Sequence, residues 1–154
     1  MTAIQLYLMA NWCYRHKIPL LPYVFYRLIY FINNCHIHYA TQIGYGTTIS
    51  YGGIAVVIHK NARIGKNCTI GPHVTIGGRS NIQEVPIIGN NVWVGSGAAI
   101  LGNITIGNNV VVGANAVVIS SVPDNCSVAG IPAKIIKKDI NVQDYCNLPS
   151  TDLA

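Results

Sequence analysis

The chain has 154 residues, a net charge of +5 and only 10% charged residues. This length suits one domain with a real hydrophobic core. Residues 80–133 contain no Lys or Arg, which excludes the continuous basic stripe of a nucleic-acid-binding protein. The basic residues instead form three small groups, which suit a phosphate-bearing small ligand, anionic lipid or simple solubility. The groups are Arg15, Lys17 and Arg27; Lys60, Arg63, Lys66 and Arg79; and Lys134, Lys137 and Lys138.

The five cysteines have no regular spacing and form no CxxC motif. This usage favours a reduced, cytoplasmic compartment, and no secretory signal sequence is visible at the start. The histidines show no fixed spacing with Cys or Asp, so no metal site is expected. His16, His36 and His38 lie in or beside the first segment and are interpreted as structural.

Residues 1–34 are expected to form a short helical N-terminal cap. Apolar residues from Ile4 to Trp12 have helical spacing, and a second apolar run extends from Leu20 to Ile32. The second run is about 13 residues long, which is too short to cross a bilayer. Two roles are open. The helices cap the exposed strand edges of the next region, or residues 20–32 lie on a membrane, at its inner face, as an interfacial helix.

From Ile37 to Val118 an aliphatic residue recurs every six residues, with one slip of three. A period of six fits neither an α-helix nor a half-buried strand, and it is typical of a hexapeptide β-helix. The pattern predicts an all-β solenoid, a parallel β-helix, with the aliphatic residues stacked in its interior. The expected interior positions are Ile37, Ile43, Ile49, Ile58, Ile64, Ile70, Ile76, Ile82, Ile88, Val94, Ile100, Ile106, Val112 and Val118.

Two interruptions of the repeat are expected to form loops, which often lie on the binding face of a solenoid. Residues 50–57 hold three extra residues, and residues 79–86 are polar and end in Pro86. The domain organisation follows as a cap at 1–34, a β-helix at 35–138 and a loosely held tail at 139–154. A solenoid with so few charges would expose much apolar surface, so a homo-oligomer is expected.

The segments GTTISYGGIAVVIHKNARIGKNCTIGPHVTIGG and VPIIGNNVWVGSGAAILGNITIGNNVVVGANAVVISSVPDNCSVAGIPAKIIKK carry a resemblance to a known family. They resemble the hexapeptide-repeat acyltransferases, in the branch of serine acetyltransferases and of capsule and colanic-acid O-acetyltransferases. The closing VPDN…VAGIPAKII is specific to this superfamily. The resemblance covers about residues 36–138. It implies a left-handed parallel β-helix, and a homotrimer that binds acetyl-CoA in clefts between subunits.

Acetyl transfer to a hydroxyl needs a neutral imidazole to take the hydroxyl proton and donors for the oxyanion. Serine acetyltransferases carry Asp-His just after one aliphatic position, where this chain has Ser50 and Tyr51. A second Asp of that pattern falls at His36. The usual base and the carboxylate that would hold a substrate ammonium are therefore both absent from their matched positions. Ser50, Arg79 and Glu84 are the expected acceptor contacts.

Two other histidines are candidates for the base. His59 directly follows the first interruption, where a bulge can re-aim a side chain. His73 falls beside Ser50–Gly52 when one coil, with its insertion, is counted onward. Tyr51 could orient the acceptor or stack on a sugar ring. The alternative is that neither histidine acts as a base.

The resemblance also implies a binding path for acetyl-CoA. Glycine and alanine would form a backbone wall for the pantetheine arm, other residues would shape the adenine end, and lysines would meet the phosphates. The wall residues are Gly77, Gly95, Gly97, Ala98, Gly113 and Ala114; the adenine end is Ala129, Gly130 and Pro132; the lysines are Lys134, Lys137 and Lys138. The small residues also suit the corners of the repeat, and both roles can hold together.

Three functions are compatible with this pattern. The favoured one is an acetyl-CoA-dependent O-acetyltransferase acting on a sugar in surface polysaccharide biosynthesis. The first alternative is a serine O-acetyltransferase of cysteine biosynthesis, against which stands Ser50 in place of Asp. The second is a non-catalytic β-helix scaffold that has lost its base at Tyr51.

Overall fold

The computed structural model describes residues 1–145. Two helices precede a left-handed parallel β-helix of about four turns, which confirms the predicted fold class. Residues 146–154 of the predicted tail, Cys146 included, lie outside the described residues. Within the described part of that tail, Ile140 and Val142 are buried in one cluster with Val111, so this part is packed rather than loosely held. The boundaries at residues 34 and 138 stay predictions.

Each coil contributes one strand to each of three sheets, and successive coils pair in parallel with anchors in register, as in Ile58 with Ile76. Sheet A contains β1 (His36–Ile37), β4 (Val57–Ile58), β7 (Thr75–Gly77), β10 (Ala99–Leu101) and β13 (Val117–Val118). Sheet B contains β2 (Gln42–Ile43), β5 (Arg63–Ile64), β8 (Ile87–Ile88) and β11 (Thr105–Ile106). Sheet C contains β3 (Thr48–Ile49), β6 (Thr69–Ile70), β9 (Trp93–Val94), β12 (Val111–Val112), β14 (Cys126–Gly130) and β15 (Ala133–Lys138).

The interior is the predicted column of stacked aliphatic side chains. Ile37, Ile58, Ile76 and Ile100 form one row of it and are fully buried. Burying a side chain of this size contributes roughly 1.5–3 kcal/mol. Because each row is shared between neighbouring coils, the coils stabilise one another.

One predicted interior position is wrong. Ile82 is 37% exposed, in the loop between β7 and β8, and Ile88 occupies the next interior position. The N–H of Ile82 donates to the Arg79 carbonyl at 2.9 Å, which closes a tight turn outside the coil. The sixfold spacing of Ile82 is therefore coincidental, since the whole segment leaves the solenoid.

The two helices are α1 (Ala3–Arg15) and α2 (Leu21–Asn33). Thr2 and Gln5 form a capping box at the start of α1. Leu6 and Tyr7 join the same core as the β-helix, and the Tyr7 hydroxyl donates to the Thr41 carbonyl at 2.5 Å. Burial raises the pKa of Tyr7 to about 12. The helices thus cover the first coil, as the cap interpretation expects. No helix within residues 1–145 is both long and apolar enough to cross a membrane.

The chain turns at three corners in every coil. The A–B corner follows each strand of sheet A, the B–C corner each strand of sheet B, and the C–A corner each strand of sheet C. Asparagines fill the left-handed positions of the B–C corner, a conformation that Asn tolerates well. Their side chains form a ladder along the solenoid, with Asn91 donating to Asn109 and Asn109 to Asn125, both at 3.0 Å. The left-handed asparagines of this corner are Asn67, Asn91, Asn109 and Asn125.

Candidate active site

A cleft of about 400 Å³ lies on the outer face of sheet A and extends to the A–B corner. Three histidines and one lysine supply its polar groups, and strand β7 supplies a glycine floor. The lining residues are His36, His38, Val57, His59, Lys60, Thr75, Ile76, Gly77 and Gly78.

The repeat itself brings His38 and His59 together. Each histidine directly follows an interior isoleucine, and Ile37 and Ile58 pair in register on adjacent strands. Gly77 takes the same place one coil further, since Ile58 pairs with Ile76. The sequence interpretation left His36 and His38 as structural, whereas the structure places both in the cleft. The sequence does carry a signal that His38 and His59 lie side by side: their separation along the chain equals one coil plus the three-residue insertion.

The ring orientation of two of these histidines is fixed by the backbone. The N–H of Ala40 donates to Nδ1 of His38 at 3.0 Å, and the N–H of Asn61 donates to Nδ1 of His59 at 3.2 Å. A neutral imidazole that accepts at Nδ1 carries its proton on Nε2. Both rings are therefore held by the same turn geometry.

The surroundings of His38 favour its neutral form. Burial lowers the pKa of His38, and the charges of Lys60, His36 and His59 lower it further. His36 hydrogen-bonds through Nε2 to the hydroxyl of Tyr26 on α2, which ties the cap to the cleft. Burial raises the pKa of the Tyr26 hydroxyl, so this phenol stays protonated.

The glycines predicted to line a cofactor divide into two kinds. A Cβ on Gly77 would have no neighbour within 4 Å, so the missing side chain leaves open space in the cleft. A Cβ on Gly95 would lie 2.6 Å from the Ala114 nitrogen, and one on Gly113 would lie 3.0 Å from the Ala129 Cβ. At Gly97 the chain has φ +73° and Asn115 Oδ1 would be 2.0 Å away. Coil stacking alone thus requires the last three glycines.

Tyr51 lies at the C–A corner and is not among the cleft-lining residues. Ser50–Gly53 forms a kinked tight turn in which Tyr51 has a left-handed backbone, with φ 52°, and the Tyr51 side chain is 79% exposed. His73, also exposed, donates its backbone N–H to the Ile54 carbonyl at 2.9 Å. The insertion therefore puts Ile54, rather than Gly52, opposite His73, because the extra residues bulge outward. Neither Tyr51 nor His73 joins the three cleft histidines.

The other predicted cofactor residues follow the C–A corner and the end of sheet C. The side chain of Ala98 is fully buried in the interior, so only its backbone could face a ligand. β14 and β15 form an antiparallel pair that places Lys134 opposite Ala129 and Lys137 opposite Ser127. The exposed members of this set are Ala114, Gly130, Pro132, Lys134, Lys137 and Lys138.

The predicted acceptor contacts Arg79 and Glu84 are exposed in the loop that leaves the solenoid after Gly78. The Arg79 side chain packs beside Gly102, where a Cβ would lie 3.3 Å from the Arg79 Cβ. The loop thus starts at the edge of the cleft. Within residues 1–145 no group of three or more His, Cys, Asp or Glu side chains is arranged to hold a metal ion.

The left-handed β-helix and the repeat that builds it define a hexapeptide-repeat protein. The family model described as bacterial transferase hexapeptide (six repeats) matches residues 86–120. This match and the solved structures below confirm the resemblance to the hexapeptide-repeat acyltransferases, which include serine acetyltransferases. No curated protein sequence matches the chain.

Several solved serine acetyltransferases are similar to the chain. The enzyme of Brucella abortus strain S19 is 34% identical, with a TM-score of 0.84 over 90% of this chain and 57% of that one. The Neisseria gonorrhoeae enzyme is 32% identical, with a TM-score of 0.82 over 96% and 58%. The soybean enzyme is 35% identical, with a TM-score of 0.80 over 87% and 56%. The chain thus spans little more than half the length of the serine acetyltransferases it matches.

Proposed function

We propose that this protein is an acetyl-CoA-dependent O-acetyltransferase acting on a hydroxyl acceptor. The hexapeptide transferase match and the serine acetyltransferase neighbours support an acyltransferase. One of these neighbours, 31% identical, is a serine acetyltransferase in complex with CoA, which supports acetyl-CoA as the co-substrate here. The observation that carries the proposal is the pairing of His59 with the open Gly77 in one cleft.

His59 is the proposed general base. It lies one coil from Gly77, and its backbone N–H donates to the Ile76 carbonyl at 2.9 Å. The empty space at Gly77 suits the thioester end of a thin acyl carrier. The imidazole next to it can take the acceptor proton as the oxygen attacks the thioester carbon, and can return that proton to the CoA sulfur as the C–S bond breaks, which releases the free thiol. His38 would support this by donating from Nε2 to the developing oxyanion.

The tautomer of His59 sets a condition on this step. With Asn61 donating to Nδ1, the neutral ring carries its proton on Nε2 and can only donate there. Accepting a proton at Nε2 requires the ring proton to move to Nδ1 and the bond from Asn61 to break. Losing one hydrogen bond costs about 1 kcal/mol, which a bound acceptor hydroxyl can offset.

A sugar acceptor is favoured because the residues that line the cleft include no carboxylate. Lys60 and the histidines line it, and Glu84 in the neighbouring loop is the first acidic residue of the chain. An amino-acid acceptor would bring an ammonium group, which needs a carboxylate partner in a partly desolvated site. The hydroxyls of a sugar in a surface polysaccharide precursor are uncharged and need no carboxylate partner.

The second candidate is serine acetylation, and it is favoured by the similar solved structures. One of them is a Neisseria gonorrhoeae serine acetyltransferase in complex with serine, 34% identical to this chain. Because Ser50 and Tyr51 replace the Asp-His pair of that pattern, serine would need a different set of contacts here. The loop carboxylate of Glu84 is the group that could supply one.

A homotrimer is part of the proposal. On one subunit the cleft histidines lie at the A–B corner, whereas the predicted adenine and phosphate contacts lie along the C–A corner and β15. These are opposite edges of sheet A. Packing three copies side by side would bring the A–B corner of one next to the C–A corner of another, so that one acetyl-CoA contacts both.

The test is thiol release from acetyl-CoA with a panel of sugars and with L-serine. Release with sugars alone supports the proposed acceptor, and release with serine alone replaces it with the second candidate. Release with neither acceptor, together with no detectable CoA binding by calorimetry, overturns the enzyme proposal and favours the scaffold.

A further inference from the structure

The outward face of α2 is apolar although nothing within residues 1–145 covers it. Pro22 and Ile29 are buried on the inner side of the helix. On the opposite side Val24 is 46% exposed and Phe31 69% exposed. A helix that packs on a core through one side normally carries polar residues on the other. Large exposed apolar patches of this kind mark interaction sites.

Aromatic side chains enlarge this face. Tyr23 and Tyr30 are 54% and 49% exposed, and the Tyr30 ring centroid lies 5.6 Å from that of Phe31. The single charge of α2, on Arg27, lies over the Phe31 ring with 5.1 Å from Cζ to the ring centroid. Amphipathic rings and an arginine on one face are the composition found at membrane–water interfaces.

The apolar surface continues into a groove between the helices. Leu8, Met9 and Trp12 of α1 face Leu21 and Phe25 of α2 across a space of about 420 Å³. Trp12 is 56% exposed and Leu8 also 56%. The helical pair therefore offers a continuous apolar surface rather than isolated exposed side chains.

A basic flank borders that surface. Leu8 and Trp12 also line the next concavity, together with Arg15 and His16. Arg15 in turn lines a larger concavity of about 680 Å³ with Arg63 and Lys66. Shared residues join all three concavities, so the cations follow one edge of the apolar surface. Residues 1–83 contain no Asp or Glu to neutralise them.

We propose that the helical pair docks on a bilayer containing anionic phospholipids. The apolar face of α2 and the groove with α1 would enter the boundary between headgroups and acyl chains, and Arg15, Arg63 and Lys66 would contact lipid phosphates. A second copy of the chain is disfavoured as the occupant, because face-to-face packing would bring two sets of unneutralised cations together. The proposal goes beyond acetyl transfer and stands without it.

The test is co-sedimentation of the whole chain with vesicles of neutral phosphatidylcholine, and with vesicles containing one quarter phosphatidylglycerol. Two variants separate the contributions: Val24→Ser with Phe31→Ser on the outward face, and Arg15→Gln with Arg63→Gln and Lys66→Gln on the flank. The matched controls are Ile136→Ser, an apolar side chain of β15 that is 69% exposed at the far end of the β-helix, and Lys137→Gln with Lys138→Gln on the same strand.

We expect salt-sensitive binding to the anionic vesicles that falls at least about tenfold in either test variant and not in the controls. Circular dichroism checks that all variants are folded. Three results would overturn the proposal: no binding to anionic vesicles, equal binding to neutral ones, or losses as large in the controls. A change of oligomeric state in Val24→Ser with Phe31→Ser, without vesicle binding by the unmodified chain, would assign the face to a protein contact.

Discussion

The two corners that flank sheet A are built from the same six-residue repeat, yet one is closed and the other is open. At the C–A corner a Cβ on Gly95 would meet the backbone of the next coil at 2.6 Å, whereas at the A–B corner one on Gly77 would meet nothing within 4 Å. Stacking accounts for the first glycine, and the acetyl-CoA site proposed above would account for the second. The same repeat can therefore be tightly packed at one corner and leave open space at the other.

The largest expected effect is on the rate of acetyl transfer, and it distinguishes the histidine at the A–B corner from the histidine at the C–A corner. His59→Ala should reduce acetyl transfer by about 10²- to 10⁴-fold, since a general base contributes about that much. His73→Ala, at the C–A corner, should change it by less than about threefold. Steady-state rates, measured with the acceptor that the thiol-release assay identifies, compare the two variants. A large loss in His73→Ala with little in His59→Ala would reverse the roles assigned to the corners.

Gly95→Ala should reduce the free energy of unfolding by about 1–3 kcal/mol, because the new Cβ overpacks the junction with Ala114. Chemical denaturation followed by circular dichroism measures this change. Gly77→Ala is the matched control, and its free energy of unfolding should lie within about 0.5 kcal/mol of that of the unmodified chain. Equal destabilisation by both substitutions would show that the A–B corner is as tightly packed as the C–A corner.

Gly77→Val should weaken acetyl-CoA binding by at least about tenfold without loss of stability, because a branched side chain fills the open space and is well accepted in a strand. Calorimetric titration with CoA gives the affinity, and thermal unfolding of the same sample checks the fold. Unchanged affinity in this variant would place the thioester path elsewhere.

The smallest effect concerns pH. The pKa of His38 is lowered by burial first and by neighbouring cations next, so the unfolded chain binds more protons than the folded chain just below pH 6.5. Stability should therefore fall as pH drops from about 6.5 through the folded pKa. Denaturation at pH 7.5 and pH 5.5 should show a smaller pH-induced loss in His38→Gln. An NMR titration of His38 with a midpoint above 6.5 would contradict this.

The sequence predicted the solenoid because the six-residue period extends from Ile37 to Val118 and does not depend on the helix or strand preference of any short segment. It failed at Ile82, where one residue kept the spacing by chance inside a segment that leaves the coil. It also placed His73 beside Tyr51, since counting residues does not show where an insertion bulges. The convergence of His38 and His59 was recoverable in principle, because both follow interior isoleucines that pair across one coil.

The contrast between Gly77 and Gly95 could not be predicted from sequence. Both follow an interior aliphatic residue, and both precede small or polar residues. What separates them is where a Cβ would point. A Cβ on Gly95 would meet the backbone of Ala114, whereas a Cβ on Gly77 would point into open space although Leu101 pairs with Gly77 on the next coil. The spacing of residues alone does not reveal this difference.

The reversal of β15 has a consequence for self-association. A stack of parallel coils ends in an edge that would accept another strand, from a second molecule as readily as from the same one. At the far end β15 turns back on β14 and presents Lys134, Lys137 and Lys138 along that edge. At the opposite end the helices cover the first coil. The first coil and the sheet C edge of the last coil are thereby protected against end-to-end growth into fibres.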